Sequence, residues 1–140
     1  MAKAAIVYWS GSGNTRAMAD AVRKGAADAG LEVDFFACAQ FDGAMMPNYD
    51  AIAFGCPAMG AEQLEESEFE PMFAACEAGL AGKKIALFGS FGWGDGEWMR
   101  AWASRCLGDG AVLACEPLTC NDAPDDAALA ACAALGGSLA

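Results

Sequence analysis

Short apolar runs alternate with longer stretches of mixed polarity along the chain. The apolar runs lie at residues 3–9, 31–37, 51–56, 84–90 and 111–118. Helical spacing marks the stretch 14–30, where Met18, Val22 and Ala26 recur on one face. Further helices are predicted at 68–79, 96–107 and 125–137, whereas 38–50 predicts only a short helix or loop. This alternation predicts an α/β protein with a doubly wound, five-stranded parallel sheet between two helical layers.

The length and the cysteine content narrow the class of protein. The 140 residues suit a single domain over 1–140, since no linker-like stretch divides them and no segment resembles a signal peptide or a membrane span. The chain has 7 cysteines, none in a C-x-x-C pair, and no histidine. That content argues against zinc, iron–sulfur and disulfide frameworks and weakens a hydrolase hypothesis. We expect a cytoplasmic protein with reduced, mostly buried thiols and no metal site.

The charge of the chain restricts its partners. The 19 acidic and 8 basic residues give a formal net charge of −11. Nucleic acids and anionic membrane surfaces would be repelled, so we expect neither nucleic-acid binding nor membrane insertion. A basic partner protein fits the charge, although acidic surface also serves solubility.

A loop rich in hydroxyl groups follows the first apolar run. This phosphate loop, residues 10–15, has the sequence Ser-Gly-Ser-Gly-Asn-Thr and precedes a helical pattern. Backbone N–H groups in such a turn converge on one point, and the positive end of the next helix faces the same anion. Neither G-x-x-x-x-G-K-[ST] nor G-x-G-x-x-G fits the loop, so a single terminal phosphate is the expected ligand group. The alternative is an ordinary capped turn between strand and helix.

Two further loops follow predicted strands 3 and 4 and should lie at the same sheet edge. The Met59 loop (residues 55–62) and the Trp93 loop (residues 89–96) each place one large side chain among small residues. A tryptophan between glycines has little protein to pack against, so a flat external ligand is its natural partner. The alternative for Trp93 is surface packing or a protein interface.

These segments together resemble one family. The stretches IVYWSGSGNT (6–15), AMG (58–60), LEESEFEP (64–71) and ALFGSFGWGDG (86–96) are similar to the short-chain flavodoxins of anaerobic bacteria. The similarity runs along essentially the whole chain, and the last strand lacks a long insertion. The resemblance implies the strand order 2-1-3-4-5, one non-covalent FMN, and low-potential one-electron transfer between redox proteins rather than enzymatic turnover. We expect a monomer whose partners are basic reductases and electron acceptors.

The resemblance also assigns roles to residues. It implies that residues 10–15 surround the phosphate, that Met59 and Trp93 lie on opposite faces of the isoalloxazine, and that Glu62 lies near its pyrimidine edge. The Gly60–Ala61 peptide would change orientation with the redox state, which Gly60 permits through a positive φ. The expected cofactor contacts are Ser10, Gly11, Ser12, Gly13, Asn14, Thr15, Pro57, Ala58, Met59, Gly60, Glu62, Ser90, Phe91, Gly92, Trp93, Gly94 and Asp95.

Three positions depart from the family pattern. Pro57 stands where Ser or Thr is common, so a hydroxyl contact to the ribityl-phosphate arm is lost. Ala61 stands where Asp is common, which alters the adjacent turn. Arg16 follows the phosphate loop where a neutral or acidic residue is expected, and it either adds charge near the phosphate or is an ordinary surface arginine.

Other functions remain to be weighed. A flavodoxin-like quinone reductase would need an NAD(P)H-binding surface and usually a larger chain. A phosphoacceptor receiver module would need an acidic cluster after strand 1 and an Asp ending strand 3, where this chain has Ser10-Gly11 and Gly55-Cys56. A flavin-binding sensor or storage protein stays open, because the fold alone does not decide function.

For a carrier, we predict that a set of seven acidic residues steers basic partners toward the exposed ring. These residues are Glu62, Glu65, Glu66, Glu68, Glu70, Asp95 and Glu97.

Overall fold

One parallel sheet organises the computed structural model, which describes residues 2–60 and 62–140. Its strands are β1 (Lys3–Tyr8), β2 (Glu32–Ala37), β3 (Ala51–Gly55), β4 (Lys84–Phe91), β5 (Val112–Leu113) and β6 (Leu118–Asn121). The helices are α1 (Asn14–Asp28), α2 (Phe69–Cys76), α3 (Glu97–Gly108) and α4 (Asp126–Gly137). The strand order is β2-β1-β3-β4-β5, with β6 also paired to β4. The predicted doubly wound sheet of order 2-1-3-4-5 is confirmed.

The fifth predicted strand is interrupted. Its first part pairs with Lys84–Ile85 of β4, and its second part pairs with Phe88–Phe91. Between these pairings, two residues of β4 lie opposite the four residues 114–117. Pro117 has no N–H to donate, so a regular ladder cannot run through it. The apolar pattern, which continues across Ala114 and Cys115, did not reveal this bulge.

The crossover between β2 and β3 contains no α-helix among its residues, all of which the structure describes. Two 3-10 helices, Cys38–Gln40 and Gly43–Asn48, take its place. The Asp42 side chain begins the second of them by accepting a hydrogen bond from the Ala44 N–H at 2.9 Å. The predicted short helix or loop at 38–50 is therefore confirmed.

Alternate strand residues face two different cores. On one face, α1 and α4 approach so closely that a Cβ on Gly25 would lie 1.9 Å from the Ala133 carbonyl oxygen. On the other face, α2 and α3 cover an aromatic core, in which the rings of Phe54 and Phe73 meet edge to face at 5.1 Å. Both faces are covered by helices, so the exposed functional surface is the sheet edge where the strands end.

The state of the cysteines agrees with the expectation of reduced, mostly buried thiols. All seven cysteines are free and six of them are buried, with Cys115 half-buried. Burial raises the pKa of Cys38 and of Cys76 to about 11, which makes both thiols poor nucleophiles at neutral pH. Across the residues described, no helix has both the length and the apolar character that a membrane span requires.

Candidate functional site

Loops at the carboxyl ends of β1, β3, β4 and β6 enclose a cavity of about 370 Å³. Nine of its lining residues are predicted contacts: Gly11, Ser12, Asn14, Pro57, Ala58, Met59, Ser90, Phe91 and Gly92. Two more, Trp9 and Asp122, were not predicted. The cavity therefore joins the phosphate loop to the Met59 and Trp93 loops, as the parallel topology requires.

The phosphate loop presents backbone donors to this cavity. Gly13 has a φ of 98° and precedes α1, and its N–H donates to the Ser10 Oγ at 3.0 Å. The N–H groups of Gly11, Ser12, Thr15 and Arg16 have no protein acceptor among the described residues. Gly13, the residue before α1, has no side chain to cap the helix, and the Asn14 N–H has only a long contact of 3.5 Å to the Ser12 Oγ. An ordinary capped turn would satisfy these donors, so the geometry favours an anion-binding loop.

Thr15 ties the phosphate loop to the end of β4. Its hydroxyl lies 3.2 Å from the Ser90 hydroxyl, and both side chains are buried. This bond fixes the first turn of α1 against the strand that leads into the Trp93 loop. Thr15 and Ser90, both predicted cofactor contacts, therefore hold the phosphate loop in place through their mutual hydrogen bond.

Arg16 turns away from the phosphate loop. Its Nη1 donates to the Tyr8 hydroxyl at 3.0 Å, and its guanidinium carbon lies 5.3 Å from the centre of the Phe35 ring. Its Nε also lies 3.5 Å from an oxygen of Asp20. The surface interpretation of Arg16 is therefore favoured. An anion in the phosphate loop would be held by N–H groups, by hydroxyls and by the amino end of α1.

The Met59 loop is a tight turn that leaves the methionine accessible. The Met59 N–H donates to the Gln63 carbonyl at 2.8 Å, and the Gln63 N–H donates back at 3.0 Å. Gly60 and Glu62 have φ values of 54° and 50°. The orientation of the Gly60–Ala61 peptide depends on Ala61, which lies outside the described residues. Met59 itself is 38% exposed.

The Trp93 loop leaves the indole ring of Trp93 exposed to solvent. Trp93 is 65% exposed and does not line the 370 Å³ cavity. Arg100 fixes the loop from α3, since its Nη1 donates to the Asp95 carbonyl at 3.0 Å and its Nη2 to Asp95 Oδ1 at 3.1 Å. Gly60, Glu62, Gly94 and Asp95 likewise lie outside the cavity lining.

Glu65 is a buried carboxylate rather than a surface charge. It accepts the N–H groups of Ser67, Glu68 and Phe69 at 2.9, 2.7 and 2.9 Å, and also the Ser67 hydroxyl. Burial alone would raise the pKa of this carboxyl, but the hydrogen bonds prevail and lower the pKa to about 2. Glu65 thus begins α2 and anchors the segment that follows the Met59 loop.

The predicted acidic group contains charges of different kinds. Glu70 accepts Arg105 at 2.7 Å, so its charge is paired. Glu68 accepts the Trp9 Nε1–H at 3.1 Å but stays exposed. Glu66, Asp95 and Glu97 are also exposed. Glu65 and Glu70 therefore belong to the scaffold and Asp95 is paired with Arg100 at 3.1 Å, so Glu66, Glu68 and Glu97 remain as the exposed charges for the predicted steering.

Two lining residues escaped the sequence reasoning. Trp9 ends the first apolar run, and its ring lies under Gly11, where an added Cβ would come within 3.0 Å of it. Because Trp9 directly precedes the phosphate loop, its position in the sequence could have identified it as a residue of the site. Asp122 has a φ of 57° and donates its N–H to the Phe91 carbonyl at 2.8 Å. Only the pairing of β6 with β4 brings Asp122 to the cavity, so no local signal could have found it.

Comparison with known proteins agrees with this geometry. The family model described as Flavodoxin matches residues 6–136. The flavodoxin of Clostridium beijerinckii is 46% identical over 122 residues, which cover 87% of this chain and 88% of the relative. The flavodoxin of Megasphaera elsdenii is 44% identical with the same coverage. The solution structure of two-electron reduced Megasphaera elsdenii flavodoxin superposes with a TM-score of 0.88 at 41% identity, covering 97% of each chain.

Proposed function

The chain belongs to the flavodoxin family, and we propose that it carries single electrons at low potential between redox proteins. As a member of that family it is an electron carrier whose cofactor is FMN. The observation that carries the proposal is the cavity that joins a donor-rich loop at one end to Met59 at the other.

The phosphate loop fits the phosphate of FMN. Several of its N–H groups meet no acceptor within the described part of the chain, and together with the hydroxyls of Ser10, Ser12 and Thr15 they form a neutral donor set that suits an anion. Asn14 lines the same end of the cavity. Pro57 also lines the cavity but offers neither a hydroxyl nor an N–H, so the donors at this end come from the phosphate loop.

The Met59 and Trp93 loops fit a flat heterocycle. Met59 and Trp93 are both exposed, and each is large and polarizable. We propose that they enclose the isoalloxazine, with Gly60 and Glu62 near one edge and Ser90, Phe91, Gly92, Gly94 and Asp95 along the Trp93 loop. The bound FMN supplies the one-electron redox chemistry, while these residues orient the ring and keep water from its faces.

The charge around the site favours a low potential. Glu62 lies near Asp95 and Glu97, and a carboxylate oxygen of each falls within 4.8 Å of the others. The whole chain carries −11. An added electron on the cofactor would meet this negative field, which opposes reduction. The same field attracts basic partners to the exposed ring edge.

The proposal extends to the domain organisation, the type of activity and the cellular location of the protein. We infer that residues 1–140 act as one FMN-binding domain, because both hydrophobic cores pack on the same sheet. Transfer of single electrons requires docking of a partner rather than binding of a substrate, so we propose a carrier rather than an enzyme. We further propose that the carrier acts as a monomer. Seven free thiols support a reducing location, for which we propose the cytoplasm.

The cofactor is tested by mass spectrometry of the flavin released from the purified protein. We expect FMN at one equivalent per chain. FAD in its place, or no binding after reconstitution with FMN, would contradict the proposal.

Partner steering is tested by the salt dependence of electron transfer from the reduced holoprotein to a basic c-type cytochrome. We expect the rate to fall as ionic strength rises, and Glu66→Gln to lower both the rate and its salt dependence. Glu32→Gln is the matched control, because Glu32 is exposed at the start of β2, at the opposite edge of the sheet. Equal effects of the two variants would exclude docking at the Met59 and Trp93 loops.

A further inference from the structure

The side chain of Glu62 crosses from the Met59 loop to the Trp93 loop and lies directly over Gly94. A Cβ added to Gly94 would lie 2.6 Å from both Cδ and Oε1 of Glu62, and 3.1 Å from Oε2. Distances this short leave no room for a side chain at position 94. Glycine at this position is therefore what allows the Glu62 carboxylate to occupy its place.

The same carboxylate begins α3. Glu62 Oε1 accepts a hydrogen bond from the Glu97 N–H at 3.2 Å, across 35 positions of the chain. Glu97 is the first residue of α3, and Gly96 before it has no side chain that could serve as a cap. The donor is therefore one of the free N–H groups of a helix start, which are commonly satisfied by a carboxylate.

This arrangement places a carboxylate where its neighbours repel it. Carboxylate oxygens of Asp95 and Glu97 lie within 4.8 Å of one of Glu62. Arg100 pairs with Asp95 at 3.1 Å and offsets part of this repulsion, but the Glu97 charge still favours a Glu62 side chain that turns outward into water. The Glu97 N–H and the positive end of α3 oppose that repulsion. Both carboxylate oxygens of Glu62 lie close to where a Cβ of residue 94 would be, so a side chain at position 94 would displace the carboxylate.

We propose that Gly94 and the Glu97 N–H form a seat that positions the Glu62 carboxylate between the Met59 and Trp93 loops. Gly94 is then a positioning residue, since it acts on the cofactor through Glu62. The family resemblance already expects Glu62 at the pyrimidine edge of the flavin, and the seat accounts for how this chain holds the carboxylate there, with one oxygen directed to Glu97. This last step rests on the proposed function, whereas the seat itself is formed by protein atoms alone.

The seat is tested first by the affinity for FMN in a double-mutant cycle of Gly94→Ala and Glu62→Ala. Gly94→Ala should weaken FMN binding about tenfold or more when Glu62 is present, because a charge-assisted hydrogen bond is displaced. Gly96→Ala is the matched control. Its φ of 88° resembles the 90° of Gly94, but its Cβ would meet only ordinary contact, with Arg100 Nη1 at 3.8 Å.

In the Glu62→Ala background, the effect of Gly94→Ala should shrink to the size of the Gly96→Ala control, since only backbone strain remains. If Gly94→Ala weakens binding by the same factor in both backgrounds, strain alone explains it and the seat is wrong.

The second measurement is the hydrogen exchange rate of the Glu97 amide in the purified protein, which requires no flavin chemistry. We expect Gly94→Ala and Glu62→Ala to accelerate this exchange equally, and the double variant to add nothing. Unchanged exchange in Gly94→Ala would overturn the seat. A protein that binds no FMN would instead contradict the proposed function, and the exchange measurement would still decide the seat.

Discussion

The phosphate loop and the Met59 and Trp93 loops form one cavity but are held in different ways. In the phosphate loop, most hydrogen bonds span only a few residues, as from the Gly13 N–H to Ser10 and from the Ala17 N–H to the Gly13 carbonyl at 3.0 Å, and Thr15 adds a single long-range bond to Ser90 at 3.2 Å. The other two loops also have local bonds, but their backbones are tied to partners distant in sequence. The Ala58 N–H donates to the Ser90 carbonyl at 3.0 Å, and Trp98 Nε1 donates to the Cys56 carbonyl at 3.2 Å.

This difference separates recognition of the phosphate from recognition of the ring. A loop stabilised by local bonds keeps its shape when distant packing changes. Loops that are tied across β3 and β4 depend on the spacing of those strands. Ring binding should therefore respond to substitutions that leave phosphate binding intact. The first two of the following four predictions test the scaffold that holds the Met59 and Trp93 loops, and the last two test the two halves of the site.

The largest effect is expected from Gly89→Ala, which forces β3 and β4 apart. A Cβ on Gly89 would lie 2.1 Å from the Cys56 carbonyl oxygen, so the backbone has to move. We expect the free energy of unfolding, measured in urea, to fall by about 3 kcal/mol or more. Gly108→Ala in α3 is the control, because nothing lies within 4 Å of its Cβ. Equal stability of the two variants would show that this strand spacing is not fixed by Gly89.

The next effect concerns Glu65 and is pH-dependent. Its folded pKa of about 2 lies below the ordinary 4.5, so its stabilising contribution is fully present above pH 4.5 and is lost as the pH falls toward 2. Glu65→Ala should lower the free energy of unfolding by about 2 kcal/mol at pH 7, because three backbone N–H groups lose a charged acceptor. The gap to the wild type should close near pH 2.

Glu66→Ala, at an exposed neighbouring position, controls for a general loss of negative charge. A gap between wild type and Glu65→Ala of the same size at pH 7 and pH 2.5 would exclude the ionised carboxylate as its source.

A smaller effect is expected in the phosphate loop from Ser10→Ala. The variant loses the bond from the Gly13 N–H at 3.0 Å, worth about 1 kcal/mol. FMN binding should weaken, whereas binding of riboflavin, which has no phosphate, should stay the same in a fluorescence titration. A parallel loss of riboflavin affinity would mean that the two halves of the site are not independent.

The smallest effect is expected from Gly60→Val in the Met59 loop. The nearest atom to an added Cβ, Gln63 Nε2, lies 4.0 Å away, so the substitution acts through the φ of 54° rather than by collision. If the Gly60–Ala61 peptide changes orientation with the redox state, as the resemblance implies, the substitution should cost the turned form about 1 kcal/mol and lower the potential for the first electron. Affinity for oxidised FMN should change little. An unchanged first potential would show that this turn does not set it.

The amino-acid sequence alone predicted where the strands and helices lie and where the phosphate loop is, whereas the strand order came from the family resemblance. Both rest on short-range rules: strands and helices follow from the spacing of apolar residues, and the loop follows from six consecutive small residues. It also singled out Met59 and Trp93, because a large side chain among glycines has no local partner. These features require no knowledge of which distant segments meet.

The way in which the ring half of the site is held follows from tertiary contacts that the sequence did not reveal. Glu65 looked like one carboxylate in an acidic run, and only its burial against Cys56 and the start of α2 makes it a cap. The bulge at 114–117 and the placement of Asp122 follow from the register between β4 and its two partners. The contact between Glu62 and Gly94 joins loops that follow different strands. Such contacts are set by the packing of whole elements, and residue spacing along the chain does not encode them.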